Sequence, residues 1–496
     1  MTKNKSGRIN LSERNIMKLK QKASVKWMLM IAGLALSGCQ AMGLDYFRPK
    51  QVLPEAYQEA APAASSAEAV SVEWWTLYQD AVLNDLIDSA SKNNTDIKIA
   101  IARIEEADAY LREIGAALFP QVNVESSASR YRVTETGAIP VAGGMSPNRS
   151  NYNVKLSAGY EIDFWGKLRR AQESAKAQAL ASRFAKDTVD LSLKSLVAGD
   201  YLLLRSLDAQ IALSESSIKT REDSLALTKR RLEGGIASAL DVRQAEVAYS
   251  NLKAQIAELS RQRSIIEHQL ALLTGKLDLK VSAGNIAALP LPPIPPVGLP
   301  SSLLEARPDV RQAEQNLIAA NARIGVAKAA LFPTISLTAG LGGESKDLGD
   351  VLKSASRIWS GGVSLSVPIF DSGRLKSKVD QASAEQKQVL AAYERAVQQA
   401  FVDVNDALVN LRQNAEIEAS LDSSQQSAQK ALEVANNRYK SGYTSYLEVL
   451  DAQRVANDTS LAFVQSRQAR LKASVDLFKA LGGGWKQEAL QQQIAK

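Results

Sequence analysis

Two long stretches of the chain, Lys167–Glu233 and Arg374–Lys440, contain no proline, and Gly199 is the only glycine in either. Nothing in them breaks a helix. At 1.5 Å per residue each predicts a rod of about 100 Å, far beyond a globular helix. Glycines follow at Gly234-Gly235 and Gly442, and a second helical run then returns to Gly275 or Gly482. In the first return, Ala245, Leu252, Leu259, Ile266 and Leu273 recur every seven residues. That is a coiled-coil seam; the Gln, Arg and Glu between these positions predict a wet opposite face.

Upstream of each rod the period changes. A helical segment, Asn84–Leu118 or Pro308–Leu331, runs into Leu-Phe-Pro, where proline removes a donor and disfavours helix in the residue before it. Two extended stretches follow, Gln121–Thr136 and Asn151–Phe164 in the first case, Thr334–Gly343 and Trp359–Phe370 in the second. Alternation is visible in Gln121-Val122-Asn123-Val124-Glu125 and in Ser364-Leu365-Ser366-Val367, as a two-residue period requires. Strands with one apolar and one polar face suit a membrane barrel with a wet lumen.

The order helix, strand pair, helical hairpin therefore occurs twice. Ala117-Leu118-Phe119-Pro120 returns as Ala330-Leu331-Phe332-Pro333 at an offset of 213, and Arg231 to Gly275 answers Arg438 to Gly482 at 207. The extra residues of the first copy fall in the loop Gly137–Arg149. Repeat one is placed at 84–289, with a strand pair at 121–164 and a hairpin at 167–275. Repeat two is placed at 308–482, with a strand pair at 334–370 and a hairpin at 374–482. A proline-rich linker, 290–307, joins them, and 483–496 form a tail.

The formal charge of +7 would suggest an anionic partner, but its location removes that idea. Residues 1–38 hold eight basic side chains and only Glu13 as an acid, so the rest of the chain is neutral. No nucleic-acid footprint remains. Lys18–Lys26 and the apolar run Trp27–Leu36 read as a signal peptide, 1–38, too short to cross a bilayer as a mature helix. It ends Leu36-Ser37-Gly38-Cys39, which resembles the bacterial lipobox. Cys39 is the only cysteine and is the expected lipidation site, opening a lipid-anchored N-terminal segment, 39–83. Gln40, rather than Asp, follows it and favours the outer membrane.

No apolar run of 18 or more residues occurs after Cys39, so a membrane-spanning role falls to strands. Four strands cannot close a barrel, since the smallest use about eight. Unpaired edges are costly in lipid, so copies must share one barrel, eight strands in a dimer or twelve in a trimer. The arithmetic does not choose between them.

Trp74-Trp75, then Leu83, Leu86 and Asn94, open a set of specific matches. Gly298-Leu299-Pro300-Ser301-Ser302-Leu303-Leu304-Glu305-Ala306-Arg307-Pro308-Asp309 and Tyr439-Lys440-Ser441-Gly442 followed by Tyr446–Gln453 complete it. Through them nearly the whole mature chain resembles the TolC-like outer-membrane factors, in particular the NodT-like lipoprotein subgroup. The resemblance implies an α+β membrane protein: a homotrimer with a shared twelve-stranded transmembrane β-barrel, four strands per protomer, continuous with a long periplasmic α-helical barrel. It implies a periplasmic adaptor, an inner-membrane pump of the proton-driven RND type, outer-membrane lipid around the barrel and no cofactor. The function it implies is a gated efflux duct for drugs or other small toxic compounds. Metal efflux and type I protein secretion are alternatives.

Carried over residue by residue, the resemblance places Leu447, Glu448 and Asp451 at a periplasmic gate. Threefold repetition would make apolar and acidic rings that attract cations. It assigns gate-locking contacts to Arg231, Asp241 and Tyr439, with a bond from the Tyr439 hydroxyl to Asp241, while Thr444 stands where some members carry a base. Adaptor contact is expected at the tips, Gly234, Gly235, Ser441 and Gly442.

An enzyme is not expected. His268 is the only histidine, inside a coiled-coil stretch, and no metal spacing, phosphate loop or nucleophile elbow occurs. A coiled-coil scaffold would not need paired strands with alternating faces. Only Met42 and Met145 follow Cys39, so a methionine relay for copper or silver has no support.

Overall fold

The computed structural model describes residues 41–50, 53–54, 56–57, 72–138, 146–294 and 303–483. Cys39, the leader and the linker motif Gly298–Ser302 lie outside them. The chain divides into two compact units, each drawing on both repeats: Met1–Arg48, Ala107–Ala179 and Asn316–Leu390 in the first, the remainder in the second.

All the strands belong to the first unit. β1 (Gln121–Arg132), β2 (Asn148–Ile162), β3 (Thr334–Ser345) and β4 (Arg357–Ser366) form one antiparallel sheet in sequence order. The β2–β3 pairing, from Tyr152↔Ser345 to Ile162↔Ile335, joins the two repeats. β1 and β4 are edges. The expected strands are corrected at their ends: β1 stops at Arg132 rather than Thr136, β2 starts at Asn148, β3 extends to Ser345, and β4 spans 357–366 rather than 359–370. Pro368 removes a ladder donor near the far end of β4.

Below the strands, the junctions to the rods are tied together. The Trp165 indole stacks on Phe332 at 4.7 Å and donates to the Pro333 carbonyl at 2.8 Å. Asp163 accepts from the Leu168 and Arg169 amides, and Asp371 accepts from Gly373 and Leu375, so a carboxylate caps each rod. The segment after residue 40 docks here: Met42 N–H donates to Trp165 O, and the buried Arg170 holds Asp45 at 2.7 Å. Gly166 and Gly325 make room for it. A Cβ at Gly166 would lie 2.5 Å from Ala41, and one at Gly325 would lie 2.6 Å from the Met42 carbonyl.

The helices longer than two turns are α1 (Ala81–Asn93), α2 (Thr95–Ala116), α3 (Lys167–Glu233), α4 (Ala239–Thr274), α5 (Pro308–Ala329), α6 (Arg374–Lys440) and α7 (Tyr446–Ala480). Both 67-residue rods, α3 and α6, match the expected bounds. The single helix expected over 84–118 is corrected to two. Asn94 leaves the helical conformation, its side chain accepts from the Asp96 and Ile97 amides, and α2 restarts.

The second unit has its core where α3, α4 and α7 meet the N-terminal helices: Trp74, Tyr78, Leu83, Ile87, Val197, Tyr201, Leu270, Leu471 and Phe478 are all buried. Trp74 stacks on Phe478 at 5.5 Å. The seam of α4 points inward as expected, with Ala245, Leu252 and Leu259 buried and Ile266 and Leu273 packed against the core. The repeat symmetry reaches single bonds. Asn94 donates to Leu273 O at the end of α4, and Arg307, its counterpart at offset 213, donates to Ala480 O at the end of α7.

Beside this core runs a buried polar chain. The Tyr201 hydroxyl donates to Asp80 at 2.6 Å and accepts from Arg205; Arg205 and Arg263 then converge on Asp208, whose side chain is 2% exposed. Arg205 and Arg263 also donate to the Ser282 and Val281 carbonyls, pinning the strap after α4.

Candidate functional site

The expected gate residues lie where the hairpins turn. After α3, Gly235 takes φ +68°, and after α6, Gly442 takes φ +79°. These left-handed positions suit glycine. Each turn closes alike: Ile236 N–H donates to Arg231 O, and Tyr443 N–H donates to Arg438 O. Ile236 and Tyr443 are correspondingly placed and exposed at the two tips, as are Leu240 and Leu447 just after them. The sequence reading singled out only Leu447 of these four. The 207 offset carries the other tip's Leu240 and pairs Ile236 with Tyr443.

Two of the three expected locking residues meet. The Arg231 guanidinium lies 4.4 Å from the Tyr439 ring centre and donates to the Tyr439 carbonyl at 3.3 Å. The ring is buried beside Tyr446, at 5.6 Å, in a small cluster with Ala245 and Val449. The expected Tyr439–Asp241 bond is corrected. Asp241 instead completes a capping box on α4, accepting from Ser238 N–H at 3.0 Å while its own N–H donates to the Ser238 hydroxyl. At the equivalent start of α7, Ser445 makes no such side-chain cap, and Glu448 is exposed.

Asp451 is exposed but paired: Arg454 donates to it at 2.9 Å and to Asp458 at 3.4 Å. Leu447, Asp451, Arg454 and Asp458 follow one another at helical spacing along an exposed stripe of α7, opposite the buried Tyr446, Val449, Gln453, Ala456 and Ser460. Along this stripe acid and base therefore alternate, with Arg454 between Asp451 and Asp458. Arg454 was visible as a residue three positions after Asp451.

Behind the tip, between α3 and α7, Gln453 donates to Ser224 at 3.1 Å. Arg221 is buried there, and desolvation lowers its pKa, with Tyr446 and Asp458 acting in the opposite direction. Farther along α3, burial pushes Asp200 up to about 6, against the opposing field of Lys472. Among the described residues no group of His, Cys, Asp and Glu is arranged to hold a metal.

The sheet of the first unit has two chemically distinct faces. Val124, Leu156, Leu341 and Trp359 lie in one row across the four strands. Rows on either side of it add Val122, Val154, Tyr160, Leu337, Val363 and Leu365. Most of these are exposed, Trp359 to 83%. The opposite face carries Asn123, Glu125, Ser127, Asn153, Lys155, Ser157, Ser336, Thr338, Glu344, Ser360 and Ser364. Among the described residues no helix is long and apolar enough to cross a membrane. The exposed apolar surface is instead a continuous sheet face.

A family model described as outer membrane efflux protein matches residues 86–276 and 299–483. The chain is 33% identical to the probable efflux pump outer membrane protein TtgC of Pseudomonas putida, across 93% of this chain and 96% of that one. It is also 33% identical to the cation efflux system protein CusC of Escherichia coli, across 92% and 97%. The crystal structure of the Campylobacter jejuni CmeC outer membrane channel superposes with a TM-score of 0.86 at 25% identity, covering 92% of this chain and 98% of that one. These relatives are efflux proteins and channels rather than enzymes, and this chain too is an outer-membrane efflux channel. It belongs to the outer membrane efflux protein family.

Proposed function

We propose that three copies of this chain close one twelve-stranded barrel and serve as the passive exit duct of a tripartite pump. A periplasmic adaptor and an RND-type inner-membrane pump complete it. One observation carries the reading: a four-stranded sheet with two open edges has an exposed apolar face and a polar face. Such a sheet is stable in lipid only when both edges find partners, and its polar face then lines a wet lumen.

The docking of residues 41–45 at the strand–rod junction favours a lipid on Cys39 at the membrane border. The hairpin tips carry the gate. The exposed stripe Leu447–Asp451–Arg454–Asp458 faces the aperture, with Glu448 beside it. Arg231 and Tyr439 hold the hairpins together, and Asp241 stiffens the tip through its capping box. Ile236 and Tyr443, on the turns built by Gly234, Gly235, Ser441 and Gly442, meet the adaptor. The cargo is a class of small toxic compounds, with selection made by the pump.

Conductance of the mature protein in planar bilayers tests this reading, with wild type compared against Asp451→Ala. Small wild-type currents that grow in the variant are expected. Absence of conductance from both, with the tips also destabilised by Arg231→Ala, would overturn the channel reading.

A further inference from the structure

The apolar face of the sheet carries charge at only one end, and only of one sign. Arg130 and Arg132 occupy the last positions of β1 on that face, opposite Ser150 and Asn148. Arg357 opens β4 on the same face, in the row of Gly343 and Val154, one row beyond Trp359. No carboxylate lies on this face of the sheet. Glu125, Glu161 and Glu344 all project from the polar face, together with Lys155 and Arg149. The three arginines are exposed, and all lie at the hairpin-loop end, away from the strand–rod junctions. Arg132 shares an exposed ion pair with Glu135 at 2.9 Å. Arg130 and Arg357 have no carboxylate partner among the described residues.

Their strand positions matter as much as their charge. β2 and β3 present Ser150, Tyr152, Ser345 and Gly343 at this level, so the cations are confined to the two edge strands. Charge on an edge strand ordinarily deters pairing, yet these edges must pair if the barrel closes. Within one sheet Arg357 lies in the row of Ser126, on the same face as Arg130 and Arg132 and toward the same end of the strands. Closure sets β4 of one chain beside β1 of the next, so each seam carries arginines from both chains at its loop end, with Trp359 and the apolar belt beneath Arg357. Guanidinium binds phosphate through paired N–H donors more specifically than a lysine ammonium does. Arginines at this depth reach the headgroup layer at little cost, whereas at the bilayer centre they are expensive.

We infer that each protomer seam, at the loop end of the barrel, is a binding site for an anionic, phosphate-bearing lipid headgroup. Arg130 and Arg357 grip the phosphate, and its acyl chains lie along the Trp359–Val363 surface. This inference rests on the trimeric barrel proposed above.

The test is native mass spectrometry of the full-length protein taken from nanodiscs of mixed phosphatidylcholine and phosphatidylglycerol. Wild type is compared with the Arg130→Gln/Arg357→Gln double variant and with Arg149→Gln, which removes the same charge at the same level from the opposite face. Wild type and Arg149→Gln are expected to retain phosphatidylglycerol selectively, with retention on the order of tenfold lower in the double variant. Intact trimers with equal retention in all three would overturn this inference and leave the channel reading standing. Failure to find trimers would remove both. Displacement of the lipid by an equal concentration of inorganic phosphate would make a free anion the ligand and would likewise overturn the inference.

Discussion

The Arg231 guanidinium lies over the ring of Tyr439, 4.4 Å from its centre, and so ties the last turn of one rod to the last turn of the other. The contact is made by the tyrosine ring and carbonyl, with the hydroxyl uninvolved. Tyr439→Phe should therefore leave resting conductance unchanged. Arg231→Ala removes a contact of about 1 kcal/mol, so open events in a planar bilayer should rise roughly fivefold. A rise in Tyr439→Phe equal to that in Arg231→Ala would instead make the hydroxyl the lock.

Arg454 sits between Asp451 and Asp458 and offsets their charge. Arg454→Gln should make the aperture more acidic and raise the preference for potassium over chloride, read from the reversal potential across a salt gradient. Asp451→Ala should shift the reversal potential the other way, because Arg454 and Asp458 then balance and the stripe loses its net negative charge. Shifts of the same sign in both variants would remove the stripe from the conduction path.

The rods were legible because a long run without proline or glycine allows little but helix, and α3 and α6 fall on their expected bounds. The break at Asn94 was not, since an asparagine reads alike whether it caps a helix or decorates one. The role of Asp241 was missed for a related reason. Ser238 and Asp241 satisfy a local capping box, and such a bond within one turn outcompetes a distant partner unless the distant geometry is already known. The two-faced sheet was half visible. Alternation appeared in short stretches, but the register across four strands was needed to show that Val124, Leu156, Leu341 and Trp359 form one row.

Asp200 gives a pH signature. One of its carboxylate oxygens is buried without a partner, and burial pushes its pKa up to about 6. The unfolded value is about 3.9. A raised carboxylate binds a proton in the folded state before it does in the unfolded one, so stability falls as pH rises from about 4 to 6 and stays lower above that. Asp200→Asn should abolish this component. Its Tm should exceed that of wild type at pH 7.5, and the difference should shrink on acidification. The side chain is partly open to solvent, so the effect is about 1 kcal/mol after screening. A Tm difference constant across pH 4.5–7.5 would assign any change to packing instead.

The apolar row also makes a sharp comparison. Leu341 lies between Leu156 and Trp359 on the apolar face, while Thr338 lies on the polar face between Gly159 and Gly362. Arginine on a lipid-facing strand costs up to about 2–4 kcal/mol according to its depth in the apolar belt, and far less where a wet lumen solvates it. In a trimer the substitution is made three times, so Leu341→Arg should abolish insertion into lipid vesicles, scored by flotation and by protease protection of the strands. Thr338→Arg should insert normally and shift ion selectivity toward anions. The hydrophobic effect alone does not separate the two, because each adds the same charged side chain to the same strand. Only the assignment of faces does, and insertion of Leu341→Arg with failure of Thr338→Arg would mean that the sheet is inside out with respect to the membrane.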